Sequence, residues 1–565
     1  MRRLRVLVVL TLIIAIAPFP ALAASRTPVR AEHGMVGSTE SNASAAGVAV
    51  MQQGGNAIDA AVAVGFALAV THPSAGNIGG GGFMVIRFAD GRSTAIDYRE
   101  VAPKKAFRDM FLDASGNVVP ERSLVGPLAA GVPGSVAGLY YVHKKYGKLP
   151  WKDVVAPAIA LAENGVVLTD AMARYLKSAE KLLSRFPESK RIFLKDGAFH
   201  AAGERFAQPD LAKTLRLIAE RGADGFYKGP VADMIAAEME RSGGYITKDD
   251  LAAYVPVERE TVKGTYRGHE IIAMPPVSSG GAALIQALNV LEGFPLGEFG
   301  ALSSKSIHHI AETERRIYAD RSEWLGDPSF FKVPVSGLTS KKYAESLRAL
   351  INPTRVTPST QVKPGAATQY ESDQTTHYSV IDADGTTVAT TTTINGGFGN
   401  GQTVTGAGFL LNNEMDDFSA KPGVPNMFGV IGGVANEVQP GKRMLSSMTP
   451  TIIAKDGKPL LVVGSPGGSR IITTVLQVVL NVLDYGMDVQ EAVDAPRFHH
   501  QWLPDELRIE RQGFPKDVVQ ALEGFGHKVV VQGDMGDVHA IWIDPKTGVR
   551  YGASDPRMDG KTIGY

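Results

Sequence analysis

The sequence predicts an α+β fold in which largely antiparallel sheets and covering helices are stacked in layers. Four segments each contain two strands of alternating apolar residues around a short turn, the strongest short-range signal for a β-hairpin. Six other segments have helical periodicity or an almost wholly apolar surface. Helices interspersed with antiparallel hairpins are typical of a sandwich in which helices cover sheets.

The hairpins and helices are assigned in chain order. The predicted hairpins span residues 83–97 (turn Asp90-Gly91), 377–394 (Asp384-Gly385), 451–464 (Asp456-Gly457) and 540–551 (Asp544-Pro545). The predicted helices span residues 56–70, 154–164, 210–221, 230–242, 306–320 and 472–485. Because residues 60–70 are apolar on nearly all sides, we expect the first of these helices to be deeply buried.

The N-terminus has the three-part pattern of a secretory signal peptide. Three arginines within the first five residues precede an apolar run, residues 6–17, and the small-residue pattern of residues 21–23. The alternative is an uncleaved membrane anchor, but the run is too short to span a bilayer, and Pro18 and Pro20 interrupt it. We therefore expect residues 1–23 to be removed and the protein to be periplasmic or secreted, with no membrane association afterwards.

Composition excludes several classes of function. The chain has 58 basic and 58 acidic residues, and removing residues 1–23 takes away three basic residues and no acidic one, which leaves a net charge of −3. This balance is not that of a nucleic-acid-binding protein. The chain has no cysteine, which rules out thiol catalysis and thiolate metal sites. We expect neither a metal nor a cofactor.

Residues 352–374 have the composition of a flexible tether, with three prolines, many small polar residues and few large apolar ones. The tether runs into a threonine-rich predicted strand at Gln374-Thr375. If the chain is cut at this point, the old end must move away while the new end stays fixed. We therefore expect a large subunit of residues 24–374 and a small subunit of residues 375–565.

The motifs around Thr375 resemble those of the γ-glutamyltranspeptidases. The segment 374–380 (QTTHYSV) is followed, in the family's order, by 393–395 (TIN), 411–418 (LNNEMDDF), 442–448 (KRMLSSM) and 464–470 (GSPGGSR). The N-terminal half has matching segments at 71–73 (THP), 77–83 (NIGGGGF) and 97–100 (DYRE). The resemblance spans nearly the whole mature chain. It implies an N-terminal nucleophile (Ntn) hydrolase fold, a four-layer αββα sandwich that two subunits form jointly.

The resemblance makes Thr375 the expected nucleophile. An N-terminal threonine carries its own base, an α-amine with a pKa of ~7.7 to 8.0. Before cleavage that amine is an amide, so the Thr375 hydroxyl must first attack the Gln374 carbonyl. The resemblance also places Thr393 at the amine and the backbone N–H groups of Gly467 and Gly468 in an oxyanion hole. Without the family motifs, the threonines would be ordinary strand residues and the glycines a tight turn.

A γ-glutamyl group carries an α-carboxylate and an α-ammonium, so its site must bind both charges. The planar fork of an arginine suits a carboxylate, and acidic groups suit an ammonium. The resemblance assigns the carboxylate to Arg99, Ser446 and Ser447, and the ammonium to Asn395, Glu414 and Asp417. Without the motif, Arg99 would be a surface residue beside Glu100.

The chain departs from the family pattern in two places. Gly396-Gly397 stands where many bacterial members have Thr-Thr. Phe428 lies in a loop that resembles the family's substrate lid, at a position that is often tyrosine. A phenyl ring covers a pocket but donates no O–H hydrogen bond. The resemblance therefore does not determine how this lid closes over the substrate.

Two other motifs suggest sites of a different kind. The glycine run at 79–82 suggests a phosphate loop, but no Gly-Lys-Ser/Thr follows, so close packing is the better explanation. His308 and Glu312 have the spacing of two metal ligands on a helix, but no H-E-x-x-H motif is present. We interpret them as an ordinary pair on the surface of a helix.

The sequence therefore predicts a self-cleaving enzyme that transfers the γ-glutamyl group of glutathione and related compounds to water or to amino acids and peptides. One alternative is an amide acylase of the same fold, which cuts glutaryl side chains of β-lactams and keeps Thr375 but has no need of Glu414 and Asp417. Another is a periplasmic binding protein without turnover, which the cleavage site disfavours.

Overall fold

The structure, a computed structural model, describes residues 25–195, 197–363, 375–421, 424 and 433–565. The predicted signal peptide, the later part of the predicted tether with Gln374, and the lid residue Phe428 lie outside the described residues. No helix in the described ranges is long and apolar enough to cross a bilayer.

The strands are numbered here along the chain. They are β1 (Val29–Ala31), β2 (Met35–Ser38), β3 (Gly81–Arg87), β4 (Ser93–Asp97), β5 (Val166–Val167), β6 (Leu194–Lys195), β7 (Ala198–Phe199), β8 (Arg205–Phe206), β9 (Val257–Arg259), β10 (Val262–Tyr266), β11 (His269–Ala273), β12 (Thr376–Ile381), β13 (Thr387–Thr393), β14 (Thr451–Lys455), β15 (Lys458–Val463), β16 (Phe498–His499), β17 (Leu507–Glu510), β18 (Val529–Gln532), β19 (His539–Ile543), β20 (Arg550–Ser554) and β21 (Lys561–Gly564).

The α-helices are numbered in the same way. They are α1 (Ser41–Gln52), α2 (Ala57–Thr71), α3 (Pro120–Leu124), α4 (Ser135–Tyr146), α5 (Trp151–Asn164), α6 (Asp170–Ser178), α7 (Glu180–Leu183), α8 (Pro187–Phe193), α9 (Pro209–Arg221), α10 (Asp224–Tyr227), α11 (Pro230–Ser242), α12 (Lys248–Ala253), α13 (Gly280–Leu291), α14 (Leu296–Phe299), α15 (Ser304–Trp324), α16 (Val335–Leu338), α17 (Lys341–Arg348), α18 (Arg470–Leu483), α19 (Val489–Asp494) and α20 (Lys516–Gly524). Short 3₁₀ turns span Pro127–Ala129, Glu414–Asp417 and Val434–Asn436.

Two seven-stranded antiparallel sheets form the centre of the protein. Sheet I has the order β21-β2-β12-β13-β3-β4-β9, and sheet II has the order β1-β20-β19-β15-β14-β11-β10. Both sheets contain strands from before and after Thr375, and in sheet I the pair β12 and β13 lies between β2 and β3. The two parts of the chain therefore build one fold jointly.

The sheets lie between two helical layers. Helices α1, α2, α4, α5 and α9 pack on one face of sheet I, against residues such as Val36, Met84 and Tyr378. Phe83 and Val85, on the opposite face, share a buried cluster with sheet II and with helices α13, α15 and α18. Since successive strand residues point to opposite faces, sheet I is covered on both sides. The predicted four-layer αββα sandwich is confirmed.

Local sequence signals account for most of these elements. The four predicted hairpins correspond to β3–β4, β12–β13, β14–β15 and β19–β20. Every residue of α2 is buried, as its composition predicted, and Asn56 caps its first turn by accepting hydrogen bonds from the backbone N–H groups of Ile58 and Asp59. The other predicted helices correspond to α5, α9, α11, α15 and α18, with ends shifted by a few residues.

The glycine run before β3 is a close-packing feature, as expected. A Cβ atom on Gly79 would overlap the carbonyl oxygen of Leu410, and one on Gly80 would overlap that of Thr393. The absence of side chains therefore lets the residues that follow β13 lie directly against the start of β3.

The first part of the predicted tether is held against the fold. The backbone N–H of Thr357 donates to Glu312 (3.2 Å), that of Ser359 donates to Asp505 (2.7 Å), and the Trp502 indole donates to the carbonyl oxygen of Val362 (3.1 Å). Glu312 thus binds this segment and also Arg316 on its own helix (2.8 Å).

Candidate active site

Thr375 lies immediately before β12, in the middle of sheet I. The last pair in the β12–β13 register is Thr376 with Thr392, so the next antiparallel position places Thr375 opposite Thr393. Thr375 is 8% exposed. The structure therefore holds the expected nucleophile at the end of a central strand and brings it to the residue expected at its amine.

A cavity of about 170 Å³ adjoins Thr375. Pro466 and Gly467 line its wall together with Thr375, and so do the buried residues Thr39 and Asp537. The Thr39 hydroxyl donates to Asp537, whose backbone N–H donates to the Ser465 hydroxyl (3.1 Å). Burial raises the pKa of Asp537. Thr39 and Asp537 therefore support the loop that carries Gly467. The sequence motifs did not identify these two residues.

Gly467 and Gly468 form the turn between β15 and α18. Both have positive φ angles, +132° and +60°, which favour glycine. Their carbonyl groups accept hydrogen bonds from the N–H groups of Arg470 (3.1 Å) and Ile471 (3.0 Å) at the start of α18. In the described part of the chain, neither glycine N–H donates a hydrogen bond. The turn thus carries two backbone donors, and one of its glycines, Gly467, lines the cavity at Thr375.

Asn395 connects Thr393, which lies opposite Thr375, to the segment that carries Glu414. Its backbone N–H donates to the Thr393 hydroxyl (2.7 Å), and its side-chain NH₂ donates to the carbonyl oxygen of Asn413 (2.9 Å), the residue before Glu414. Asn395 has a left-handed φ of +67°, a conformation that asparagine tolerates. Its side-chain oxygen is buried and has no hydrogen-bond partner among the described residues. An acceptor is therefore available there for a ligand donor.

Arg99, Glu414 and Asp417 form one buried cluster. Arg99 is 1% exposed, which excludes the surface alternative, and its two terminal nitrogens donate to Glu414 and to Asp417. Glu100 lies farther away, at 3.8 Å. The motifs predicted that these residues share a site, but not that the arginine and the acids pair directly.

Burial shifts the pKa values of this cluster. Removal from water raises the pKa of Glu414 well above its usual value, and the Arg99 guanidinium opposes that rise. Burial likewise raises the pKa of Glu100 to about 8. The cluster therefore contains one guanidinium and three acidic groups, of which burial disfavours the ionised form of at least two.

Ser446 and Ser447 lie at the end of a loop that Arg99 also contacts. Arg99 donates to the carbonyl oxygens of Met444 (3.2 Å) and Leu445 (3.0 Å), which directly precede the serine pair. The Ser446 hydroxyl accepts from the N–H of Met448 (3.2 Å). The structure therefore brings the two serines to the arginine with which the sequence grouped them.

The predicted residues thus form two linked groups. The first surrounds the cavity at Thr375 and Gly467. The second is the Arg99 cluster with the serine loop, and its members Arg99, Glu414 and Asp417 do not line that cavity as the described residues define it. Asn395 and Thr393 join the two groups. Gln374 and Phe428 lie outside the described residues, so their predicted roles stay predictions.

His308 and Glu312 lie in a different part of the fold. His308 Nδ1 is 2.9 Å from Nε2 of His527, and its Nε2 is 2.7 Å from the carbonyl oxygen of Asn352. Within the described ranges, no group of three or more histidine, aspartate or glutamate side chains is arranged to hold a metal ion. His308 and Glu312 are both buried, so the predicted surface pair is wrong, and the ring nitrogens of His308 serve structural contacts.

Comparisons with known proteins place these features in a family context. The family model described as gamma-glutamyltranspeptidase matches residues 43–565. The chain is 54% identical over 540 residues to the glutathione hydrolase proenzyme of Escherichia coli (strain K12). The alignment covers 95% of this chain and 93% of that protein.

Two solved structures also resemble this one. The cephalosporin acylase from Bacillus halodurans has a TM-score of 0.86 and 31% sequence identity, with 97% of this chain and 98% of that chain covered. The gamma-glutamyltranspeptidase of Helicobacter pylori has a TM-score of 0.58 and 51% identity, with 58% of this chain and 94% of that chain covered.

Proposed function

Because the chain belongs to the γ-glutamyltranspeptidase family, it is an enzyme that transfers γ-glutamyl groups and hydrolyses glutathione, and we propose that Thr375 is its nucleophile. The observation that supports this role most directly is the position of Thr375 at the start of a central strand, in the wall of the cavity that Gly467 also lines. A nucleophile on a rigid element keeps a fixed position relative to the donors that stabilise the reaction.

The first reaction in this proposal is cleavage of the chain. The Thr375 hydroxyl oxygen attacks the carbonyl carbon of Gln374, the peptide C–N bond breaks, and the Gln374 acyl group becomes an ester on Thr375. Water then hydrolyses the ester, which leaves a carboxylate on Gln374 and a free amine on Thr375. The products, residues 24–374 and 375–565, remain associated because each sheet contains strands from both.

The freed amine then serves as the base for γ-glutamyl transfer. It accepts the proton of the Thr375 hydroxyl, whose oxygen attacks the γ-carbonyl carbon of the donor. The N–H groups of Gly467 and Gly468 stabilise the charge on the carbonyl oxygen. The C–N bond breaks, the leaving amine takes the proton, and a γ-glutamyl ester remains on Thr375. Water, or the amine of an amino acid or peptide, attacks that ester and regenerates the hydroxyl.

The Arg99 cluster binds the two charges of the γ-glutamyl group in this proposal. Arg99 and the hydroxyls of Ser446 and Ser447 bind the α-carboxylate, while Asn395, Glu414 and Asp417 bind the α-ammonium. Without a ligand, the arginine and the acids compensate each other's charge. A zwitterionic ligand brings one charge of each sign, so it replaces these pairs without leaving a buried charge uncompensated. The buried side-chain oxygen of Asn395 supports the placement of the ammonium.

The structural likeness to the cephalosporin acylase favours one second candidate, an amide acylase. A glutaryl group has a carboxylate but no ammonium, so it gives the buried acceptors nothing to bind. The test compares kcat/KM of the wild-type enzyme for a γ-glutamyl anilide and for the matching glutaryl anilide. We expect the γ-glutamyl substrate to be favoured by at least about tenfold, the value of one hydrogen bond to a charged group. Equal values would assign the acylase activity instead.

Location and partners complete the proposal. We propose that the enzyme is exported to the periplasm or the medium, on the basis of the pattern in residues 1–23. Its ligands are glutathione and other γ-glutamyl compounds as donors, with amino acids, peptides or water as acceptors. Its macromolecular partner is the other subunit of the same precursor.

A further inference from the structure

Two buried arginines hold the serine loop, residues 444–447, from different directions. Arg99 donates to the carbonyl oxygens of Met444 and Leu445 at the start of the loop. Arg321, which is 2% exposed and lies on α15, reaches the serine end. Both arginines precede Thr375 in the chain, whereas the loop follows it. The contacts therefore cross the boundary between the two expected subunits.

Arg321 contacts two serine hydroxyls at once. Its Nε donates to the Ser279 hydroxyl (2.8 Å), and its Nη2 donates to the Ser447 hydroxyl (3.3 Å). A guanidinium has only donors, so each of these hydroxyl oxygens acts as the acceptor and keeps its own hydrogen for another partner. Arg321 therefore leaves the hydrogen of each hydroxyl to be donated to a partner other than the guanidinium.

Ser279 connects Arg321 to Ser446 through hydrogen bonds. Its hydroxyl donates to the Ser446 carbonyl oxygen (2.7 Å), which also accepts from the Ser279 backbone N–H (2.6 Å). On the other side, the N–H of Ser446 donates to the carbonyl oxygen of Val277 (3.2 Å). The backbone of Ser446 is thus held on both sides by the segment that begins at Val277.

We propose that Arg321 is a positioning residue for the α-carboxylate of the γ-glutamyl donor. It turns the Ser447 hydroxyl into a donor that faces the ligand, holds Ser446 through Ser279, and places a positive charge behind the serine pair. This inference rests on the proposed function, because it assumes that Ser446 and Ser447 bind that carboxylate.

The charges around Arg99 explain why a second cation is needed. Three acidic groups face the Arg99 guanidinium, namely Glu414, Asp417 and, at 3.8 Å, Glu100. Glu414 and Asp417 accept hydrogen bonds from the two terminal nitrogens of Arg99, the same donors that an incoming carboxylate would use. Arg321 adds positive charge on the serine side, where the carboxylate would accept its hydrogen bonds. A lysine at position 321 would keep the charge but lose the planar fork that reaches both hydroxyls.

The test measures preference for the α-carboxylate. The substrates are the γ-p-nitroanilide of L-glutamate and the same anilide with the α-carboxylate converted to a carboxamide. We expect the wild type to favour the carboxylate, and Arg321→Gln to reduce that preference by about tenfold, chiefly through KM. Arg321→Lys should reduce it less. Both variants should still be cleaved into two subunits, because maturation needs no substrate.

Two further variants separate positioning from general structure. Arg316→Lys is the matched control: Arg316 is equally buried on α15, but it donates to Glu312 (2.8 Å) and to the Leu350 carbonyl oxygen (2.7 Å). The Arg316→Lys variant should have a lower thermal midpoint and an unchanged preference for the α-carboxylate substrate. In a Ser447→Ala background, Arg321→Gln should reduce the preference by less than it does in the wild type, because the two residues act through one hydroxyl.

The outcomes distinguish this inference from the proposed function. If the wild type does not favour the carboxylate substrate, the carboxylate site assigned in the proposed function is wrong, and the role of Arg321 fails with it. If the wild type favours it but Arg321→Gln lowers kcat/KM for both substrates in parallel, Arg321 is only structural and this inference is overturned. Should Arg321→Gln not fold, Ser279→Ala removes the hydroxyl that connects Arg321 to Ser446, with Arg321 and the backbone hydrogen bond of residue 279 to Ser446 intact. An unchanged preference in both Ser279→Ala and Arg321→Lys would also overturn the inference.

Discussion

Replacing Asp417 by asparagine tests its proposed role in binding the α-ammonium separately from the rest of the reaction. Asp417 is 3% exposed and accepts a hydrogen bond from Arg99. Asparagine has nearly the same shape but lacks the negative charge. Because Glu414 still accepts a hydrogen bond from Arg99, the guanidinium keeps a buried acidic partner. The decrease in the free energy of unfolding should therefore stay below the ~3 to 5 kcal/mol that is typical of breaking a buried ion pair.

The expected magnitude follows from one hydrogen bond to a charged group, ~1.5 to 3 kcal/mol. At about 1.4 kcal/mol per factor of ten, kcat/KM for a γ-glutamyl anilide should fall by about 10- to 150-fold. The rate with a glutaryl anilide should change little, because that substrate has no ammonium. The ratio of kcat/KM for the γ-glutamyl anilide to kcat/KM for the glutaryl anilide should therefore decrease.

The assay is release of nitroaniline from the two anilides, with the subunit pattern and the thermal midpoint measured in parallel. Asp416→Asn is the matched control, since Asp416 lies on the same 3₁₀ turn and accepts from the Ser123 hydroxyl (2.6 Å). It should leave the ratio of the two rates unchanged. A parallel loss on both substrates in Asp417→Asn would make Asp417 structural, and unchanged rates on both substrates would place the ammonium elsewhere.

Three further predictions concern neighbouring groups. Arg99→Lys should still mature but lose most γ-glutamyl turnover, because an ammonium does not reproduce the bidentate fork; an unchanged kcat/KM would move the carboxylate site away from Arg99. Burial raises the pKa of Glu100 from 4.5 to about 8, so the unfolded chain loses this proton first as the pH rises. The thermal midpoint should accordingly fall between about pH 4.5 and 8, and Glu100→Gln should flatten that fall; identical slopes would refute the assignment. Gly464→Ala would place a Cβ that overlaps the imidazole ring of His377 on β12, so the thermal midpoint and the extent of maturation of this variant should both drop. Wild-type values for both would contradict the packing.

The sequence was sufficient to locate local elements of the fold. The Asp-Gly turn at 384–385 predicted β12 and β13, and the apolar run at 60–70 predicted the buried helix α2. Their neighbours could not be predicted, because the register between distant strands has no local signal. Tyr378 lies opposite Ser38, and Ile272 lies opposite Ile452, across long stretches of chain.

In the candidate site, too, the sequence predicted local motifs but not the contacts between distant segments. Motifs identified the residue types at Arg99, Glu414 and Asp417, but their direct pairing depends on how the 3₁₀ turn packs against the end of β4. Arg321 gave no signal at all, because the pattern of α15 is that of an ordinary surface-facing helix. Only the fold reveals that this arginine is buried behind Ser447.

The most direct test of the account is the N-terminal residue of the small subunit, determined by mass spectrometry on wild-type protein and on Thr375→Ala purified side by side. The account predicts two wild-type chains, one of which begins at Thr375, and a single uncut, inactive chain for Thr375→Ala. Normal cleavage of Thr375→Ala, or an active wild type that remains a single chain, would contradict the assignment of Thr375 as the nucleophile.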